Sequence, residues 1–347
     1  MNGSRRTTQL CLVLLALFSL ASIAQPSRAS HTAYNIDGRL AQYGRAFPSI
    51  HFVRLTGERD IGEALMLQRT LGAGARDLTY EHDPADGGLL IEAQVQRIAL
   101  MLANDLPSAT LFAVGDGSDF PTPYVCVISL NATRFRTEPL AATRLLLGEL
   151  GVDAEDLAVG VRVDNEHFLA FTLDHEVFHC LDAYLNGPPI RRTRTEIEGC
   201  YEFFRAEQRA ELFAALVLRG QDEQPGHFLS TLADYRTLAL LDWDYMHYTV
   251  PALHAAQVPR RDEIAAFGLS DLARYASKLA DETIVSRQAF PDFLAAAHHV
   301  AMQRGVVAAS TAPEADELQD TAKDRRQVIA LETALSTAQR TIAGFSY

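Results

Sequence analysis

The spacing of apolar residues changes about halfway along the chain. Between residues 30 and 165, helical periodicity alternates with short apolar runs, and the runs at 109–114 and 124–130 are predicted strands because turn-forming residues bound them. After residue 165 apolar positions recur at helical spacing almost without a break. The pattern predicts an α+β fold in which a mixed α/β subdomain (30–165) precedes a mainly α-helical subdomain (166–347).

Helical periodicity places further elements on both sides of this change. The predicted helices cover residues 61–71, 89–102, 139–150, 166–186, 196–219, 227–242, 262–283, 290–304 and 313–343, and a third strand is predicted at 157–163. The helix at 166–186 is expected to end at Gly187, because a glycine followed by two prolines cannot continue a helix. This helix lies at the junction of the two subdomains, where clefts commonly hold sites.

The first 24 residues have the pattern of an export signal. Arg5 and Arg6 give a positive start, residues 10–20 form an apolar core, and a small-residue cleavage site follows at 22–24, with 27–29 as the alternative. We therefore expect an exported protein, periplasmic or secreted. No later stretch approaches the roughly 20 apolar residues of a membrane span.

Charge narrows the range of partners. The formal net charge is -13, from 31 Lys and Arg residues against 44 Asp and Glu residues. Such an acidic chain is repelled by nucleic acid and by an anionic membrane surface, so we expect neither as a partner.

Removal of the signal would leave Cys126, Cys180 and Cys200 in the mature chain. In an oxidising compartment Cys180 and Cys200 can form a disulfide that ties two neighbouring helices together. Three free buried thiols are the alternative.

The strongest chemical signal is the motif His175-Glu176-x-x-His179 in the predicted helix. Histidines four residues apart lie on one helical face, so both imidazoles can bind one Zn²⁺ while Glu176 lies beside the open position of the metal. A zinc ion held in this way lowers the pKa of its bound water to about 7, and a neighbouring carboxylate can take the proton as an amide is hydrolysed. Apolar residues on another face of this helix argue against an accidental match.

A catalytic zinc site usually has three protein ligands, so a third is expected downstream. Glu207 is the best candidate, and Glu211, one turn later on the same face, can accept the N–H of a ligand histidine and fix its ring. Glu202 is the alternative ligand, and Asp182 or Asp174 are alternative acceptors. Apolar neighbours place this helix in a core, which argues against two solvated glutamates.

The motif at 175–179, together with Glu207-x-x-Ala210-Glu211, resembles the gluzincin, or thermolysin-like, branch of zinc metallopeptidases over about 45 residues. The resemblance implies a zincin-like fold and a peptide or protein substrate. It also implies that the two histidines and Glu207 bind one zinc ion per chain and that the motif glutamate activates water. Glu211 stands where the family usually has Asp, and residues 186–199 would form an inserted loop.

Members of that family also present an edge strand to the peptide and use a downstream His or Tyr to stabilise the oxyanion. The second predicted strand, which ends in Asn131-Ala132, would be this edge strand. His247, oriented by Asp242, would stabilise the oxyanion, and Tyr248 is the alternative. The aromatic cluster around these residues could instead belong to the core.

We therefore interpret the sequence as that of an exported zinc metallopeptidase. One alternative is a zinc hydrolase of another amide bond, such as a cell-wall amidase. The other is an exported protein that binds zinc without catalysis. The sequence carries no signal for an oligomeric state.

Overall fold

The structure is a computed structural model. It describes residues 34–56, 66–67, 69–79, 90–104, 106–148, 153–157, 161–187, 196–221, 225–302 and 333–343. The export signal predicted at 1–24 lies outside the described residues, as do parts of the helices predicted at 61–71, 290–304 and 313–343. The described residues from Asn35 onwards belong to one compact unit, so the change of character near residue 165 occurs within it.

Helices and strands alternate in the first part of the chain, and helices dominate afterwards. The strands are β1 (Ile50–Leu55), β2 (Arg76–Asp77), β3 (Ser108–Ala113) and β4 (Tyr124–Ser129). The helices are α1 (Ile36–Ala46), α2 (Leu90–Ala103), α3 (Ala132–Thr137), α4 (Ala141–Leu147), α5 (Asn165–Asn186), α6 (Glu196–Gln221), α7 (Gly226–Leu238), α8 (Val250–Ala255), α9 (Arg261–Ala266), α10 (Leu269–Thr283) and α11 (Phe290–Ala301). Short 3₁₀ helices lie at Ala154–Asp156 and Ala239–Asp242, and residues 333–342 are helical. The predicted α+β class is confirmed.

The four strands form one mixed sheet in the order β1-β4-β3-β2. β3 and β4 pair antiparallel, which confirms the two predicted strands, whereas β1 runs parallel to β4. The prediction of an edge strand ending in Asn131-Ala132 is wrong, because β4 is hydrogen-bonded on both sides and no peptide can add to it. Asn131 instead caps α3, where its side chain accepts a hydrogen bond from the Arg134 N–H at 3.2 Å.

Two other predictions differ from the structure. The helix predicted at 262–283 is divided into α9 and α10, because the residues between them, Phe267 and Gly268, have extended backbones. In the strand predicted at 157–163, the described residues Leu157 and 161–163 are not in a strand.

The helix α5 begins and ends where its local sequence dictates. The Asp164 carboxylate accepts a hydrogen bond from the His167 N–H at 2.8 Å, which caps the first turn. At the other end Gly187 adopts a positive φ of 79°, a conformation that glycine takes without strain. Between these ends the helix is buried nearly all round, against the sheet and α6. Its polar side chains must therefore find partners inside the protein.

Candidate metal site

Helices α5 and α6 bring His175, His179 and Glu207 together, with one ligand atom from each within 4.8 Å of the others. The Nε2 atoms of the two histidines are 3.2 Å apart. Glu207 lies 3.2 Å from the Nε2 of His175 through Oε2, and 3.5 Å from the Nε2 of His179 through Oε1. Tetrahedral ligands about 2.0–2.1 Å from a zinc ion are separated by about 3.3–3.4 Å. The three groups thus have the spacing of a zinc ligand set.

The side chains of this triad do not satisfy all of its buried polar atoms by hydrogen bonding. The Oε2 atom of Glu207 is buried and has no hydrogen-bond partner, although it is close to His175. Buried carboxylate oxygens are normally paired, so an unpaired one this close to an imidazole nitrogen could serve as a ligand for a cation. Two imidazoles and one carboxylate match the donor types that zinc binds at a catalytic site. The residues therefore fit a zinc ion.

Glu211 lies on the side of the His175 ring that faces away from the triad. Its carboxylate is fully buried and accepts hydrogen bonds from Arg236 at 2.7 and 3.0 Å and from the Thr249 hydroxyl at 2.8 Å. Its Oε2 also lies 3.1 Å from the Nδ1 of His175, within ion-pair distance but without the geometry of a hydrogen bond. The carboxylate thus faces the ring nitrogen that points away from the triad, and its role in orienting a ligand histidine stays a prediction.

The charges in and around the triad shift the pKa values of His175, Glu207 and Glu211. Burial alone would lower the pKa of His175, but the carboxylates of Glu207 and Glu211 raise it to about 10. Burial would raise the pKa of Glu211, but Arg236 and His175 hold it at about 2. Glu207 behaves in the same way, since His179 and His247 hold its pKa well below the usual range against the effect of burial. The glutamates are therefore ionised at neutral pH.

Glu176 occupies the interior next to the first histidine. Its side chain is buried, and burial raises its pKa despite the nearby histidines, which act in the opposite direction. A carboxylate with a raised pKa accepts a proton more readily than an ordinary one, which is the property of a general base.

His247 lies close to Glu207 of the triad. Its Nε2 is 3.7 Å from the Oε2 of Glu207, and its side chain is 39% exposed. The expectation that Asp242 orients this ring is wrong, because Asp244 does so, with both carboxylate oxygens 2.8 Å from the Nδ1. Asp244 lies three residues before His247 in the same loop, and its carboxylate is within ion-pair distance of the His247 ring.

The alternative to His247 belongs to the core. The ring of Tyr248 is 1% exposed and stacks on Phe293 with 5.5 Å between ring centroids, while its carbonyl accepts a hydrogen bond from Gln208. Within the aromatic cluster around 242–248, Tyr248 thus belongs to the core, whereas His247 lies close to Glu207.

Trp243 stands out in the same loop. It adopts a left-handed backbone conformation with φ 61°, although it is not glycine, and its side chain is 41% exposed. Its N–H donates to the carbonyl of Leu240 at 3.1 Å, and its ring packs against Tyr245 and His298. Bulky residues in this backbone region are held there by their surroundings.

The other acidic candidates have different partners. Asp182 accepts hydrogen bonds from Arg209 at 2.9 Å and Asn186 at 2.6 Å, so it does not orient a ligand histidine as expected. The Asp174 carboxylate is paired with Arg39. Glu202, the alternative ligand, forms ion pairs with arginines instead, at Arg205 and Arg287. Each of these carboxylates is compensated by an arginine.

The cysteines pair differently from the prediction. A disulfide joins Cys126 in β4 to Cys180 in α5, and Cys200 is a free thiol of intermediate burial. The predicted Cys180–Cys200 bond is wrong, because the side chain after His179 faces the sheet, where Cys126 lies, and not α6. Three cysteines allow three pairings, and spacing alone does not select among them.

No protein-family model, curated protein or solved structure matches this chain. Among the described residues, no helix combines the length and apolar character needed to cross a bilayer, as the sequence predicted.

Proposed function

We propose that this chain is a zinc-dependent metallopeptidase of gluzincin type with a zincin-like fold, acting on a peptide or protein substrate. The observation that carries the proposal is the convergence of His175, His179 and Glu207, with an unpaired buried oxygen on Glu207. The position of Glu211 behind His175 supports it, because metal-bound histidines usually direct their second ring nitrogen at a carboxylate or carbonyl.

Each residue of the proposed site has a separate role in amide hydrolysis. A zinc ion at the triad would act as a Lewis acid on the scissile carbonyl and make water more acidic. Glu176 is the general base that accepts the proton of the attacking water. His247 is held by Asp244 with its Nε2 3.7 Å from the Oε2 of Glu207, and from there it would donate to the developing oxyanion.

We also propose that the protein is exported. The N-terminal pattern of residues 1–24 motivates this proposal, and the Cys126–Cys180 disulfide supports it, because such bonds persist in oxidising compartments and are rare in the cytosol.

The first test is the metal content of the purified protein after dialysis, measured by elemental analysis. We expect one zinc ion per chain in the wild type and its loss in His175→Ala and Glu207→Ala. Glu202→Gln is the matched control on the same helix and should keep its zinc, because Glu202 is held by Arg205 and Arg287. A folded wild type that takes up no zinc would refute the proposal.

The second test separates catalysis from metal binding. Glu176→Gln preserves the size of the side chain but cannot accept a proton, so we expect full zinc content and a loss of about 100- to 10,000-fold in kcat. Activity is measured on a library of quenched fluorescent peptides, with cell-wall peptide amides as a parallel panel. Turnover of the second panel alone would favour the amidase alternative, and no turnover of either would favour zinc binding without catalysis.

A further inference from the structure

Two buried contacts flank the ligand pair on α5. Asp174 directly precedes His175, and Cys180 directly follows His179. At 3.6 residues per turn, these two residues lie about 120° to either side of the mean direction of the two histidines. The helix is therefore held at two points on the sides that face away from the metal site.

The first contact joins α5 to α1. The Asp174 carboxylate accepts hydrogen bonds from the Arg39 Nε at 2.8 Å and from the Tyr43 hydroxyl at 2.5 Å. The Arg39 side chain also donates to the Tyr43 hydroxyl at 3.1 Å, and all three residues are buried. A buried ion pair with two donors on one carboxylate oxygen fixes direction as well as distance.

The second contact is covalent. Cys180 is bonded to Cys126 in β4, the strand that β1 and β3 flank on both sides. Both cysteines are fully buried. Because β4 lies in the interior of the sheet, the disulfide ties the turn after His179 to a rigid part of the molecule.

We propose that the Asp174 contact and the Cys126–Cys180 disulfide are positioning devices that set the rotation of α5 about its axis and so aim both histidines at Glu207. An imidazole nitrogen about 6 Å from the helix axis moves about 2 Å when the helix rotates by about 20°, which is a full Zn–N bond length. Small rotations would therefore break the ligand set. This inference rests on the proposed zinc site.

The test uses the full mature chain loaded with Co²⁺, whose visible absorption reports the geometry of its ligands. The variants are Cys126→Ala/Cys180→Ala and Asp174→Asn, and Cys200→Ala is the matched control because its thiol is free. We expect metal affinity to fall about 10- to 100-fold in both variants, the range seen for groups that orient ligands, and the cobalt spectrum to change. The control should match the wild type in both measurements.

Unfolding temperature is recorded beside the spectra, because a merely structural role would lower it and leave affinity and spectrum unchanged. Such a result in the folded variants overturns the inference. If the double cysteine variant does not fold, Asp174→Asn decides, since it keeps the size of the side chain and an acceptor oxygen. Normal metal binding in the variants would leave the proposed function intact, whereas a wild type that binds neither Zn²⁺ nor Co²⁺ would overturn both.

Discussion

Two polar clusters bridge α5 and α6 about one helical turn apart, and they differ in kind. The metal cluster contains the two motif histidines and Glu207. The ion-pair cluster contains Asp182, Arg209 and Asp281, and there the three nitrogens of the Arg209 guanidinium donate to carboxylates at 2.6–3.0 Å. The metal cluster has an unpaired buried carboxylate oxygen, and no arginine or lysine is seen to pair with Glu207 among the described residues.

A structural salt bridge and a binding site differ in whether their polar atoms all have hydrogen-bond partners within the protein. Both clusters lie where α5 meets α6 and are largely buried, so burial does not distinguish them. An arginine completes the ion-pair cluster, whereas in the metal cluster two imidazoles and a carboxylate come together and one buried carboxylate oxygen has no hydrogen-bond partner. A buried polar cluster that its own side chains do not complete is the better candidate for a ligand.

The largest effect on stability is expected from Arg209→Met. This change leaves the Asp182 carboxylate buried without its cation, which costs about 3–5 kcal/mol in the free energy of unfolding. Urea denaturation measures this loss, and zinc content should stay at one ion per chain. The control is Arg205→Met at the more exposed end of the cluster, with an expected cost under about 1 kcal/mol. Loss of zinc from folded Arg209→Met would show that the ion-pair cluster also supports metal binding and would contradict the distinction between the two clusters.

A smaller effect, on metal affinity, is expected from Glu211→Gln. The amide does not carry the charge that faces the His175 ring and pairs with Arg236, so zinc affinity should fall about 10- to 100-fold. Competition with a chromophoric chelator gives the affinity. Glu202→Gln makes the same substitution elsewhere on α6 and should bind zinc normally. Equal affinity in the two variants would mean that Glu211 only stabilises the fold.

The mildest test changes pH alone. In the metal-free protein the pKa of His175 is about 10, so the ring is protonated at neutral pH and must lose that proton to bind zinc. Zinc affinity should therefore fall about tenfold for each pH unit between pH 9 and pH 7. The free energy of unfolding of the metal-free protein should instead fall as pH rises. The raised pKa of His175 contributes stability that is fully present below about pH 6.5 and is lost as pH rises through about 10. Chelator competition and urea unfolding measure the two trends, and a flat zinc affinity would contradict the assignment.

Local patterns in the sequence predicted some of the helices and strands and the spacing of the candidate site residues. Helical periodicity predicted α5 and α6, and the four-residue spacings of His175 and His179, and of Glu207 and Glu211, placed each pair on one face. Short apolar runs bounded by turn-forming residues predicted β3 and β4. These inferences depend on residues that are neighbours in sequence, where geometry follows from the element itself.

Contacts between distant segments could not be predicted in the same way. Arg39 meets Asp174 across 135 positions, and Cys126 meets Cys180 across 54. Neither has a spacing that indicates its partner. The order of strands in the sheet is another example, because the parallel partner β1 comes from far upstream and turns β4 into an interior strand. Asp244 was missed for a different reason: helical spacing does not apply in the loop where it reaches His247.

The conformation of Trp243 has a practical consequence for studies in solution. It is the only tryptophan in the chain, so all tryptophan emission comes from one partly exposed ring four residues from His247. The left-handed backbone holds that ring against Tyr245 and His298. The protein therefore carries an intrinsic fluorescent reporter close in sequence to His247, and we expect its emission to report metal or peptide binding without a label.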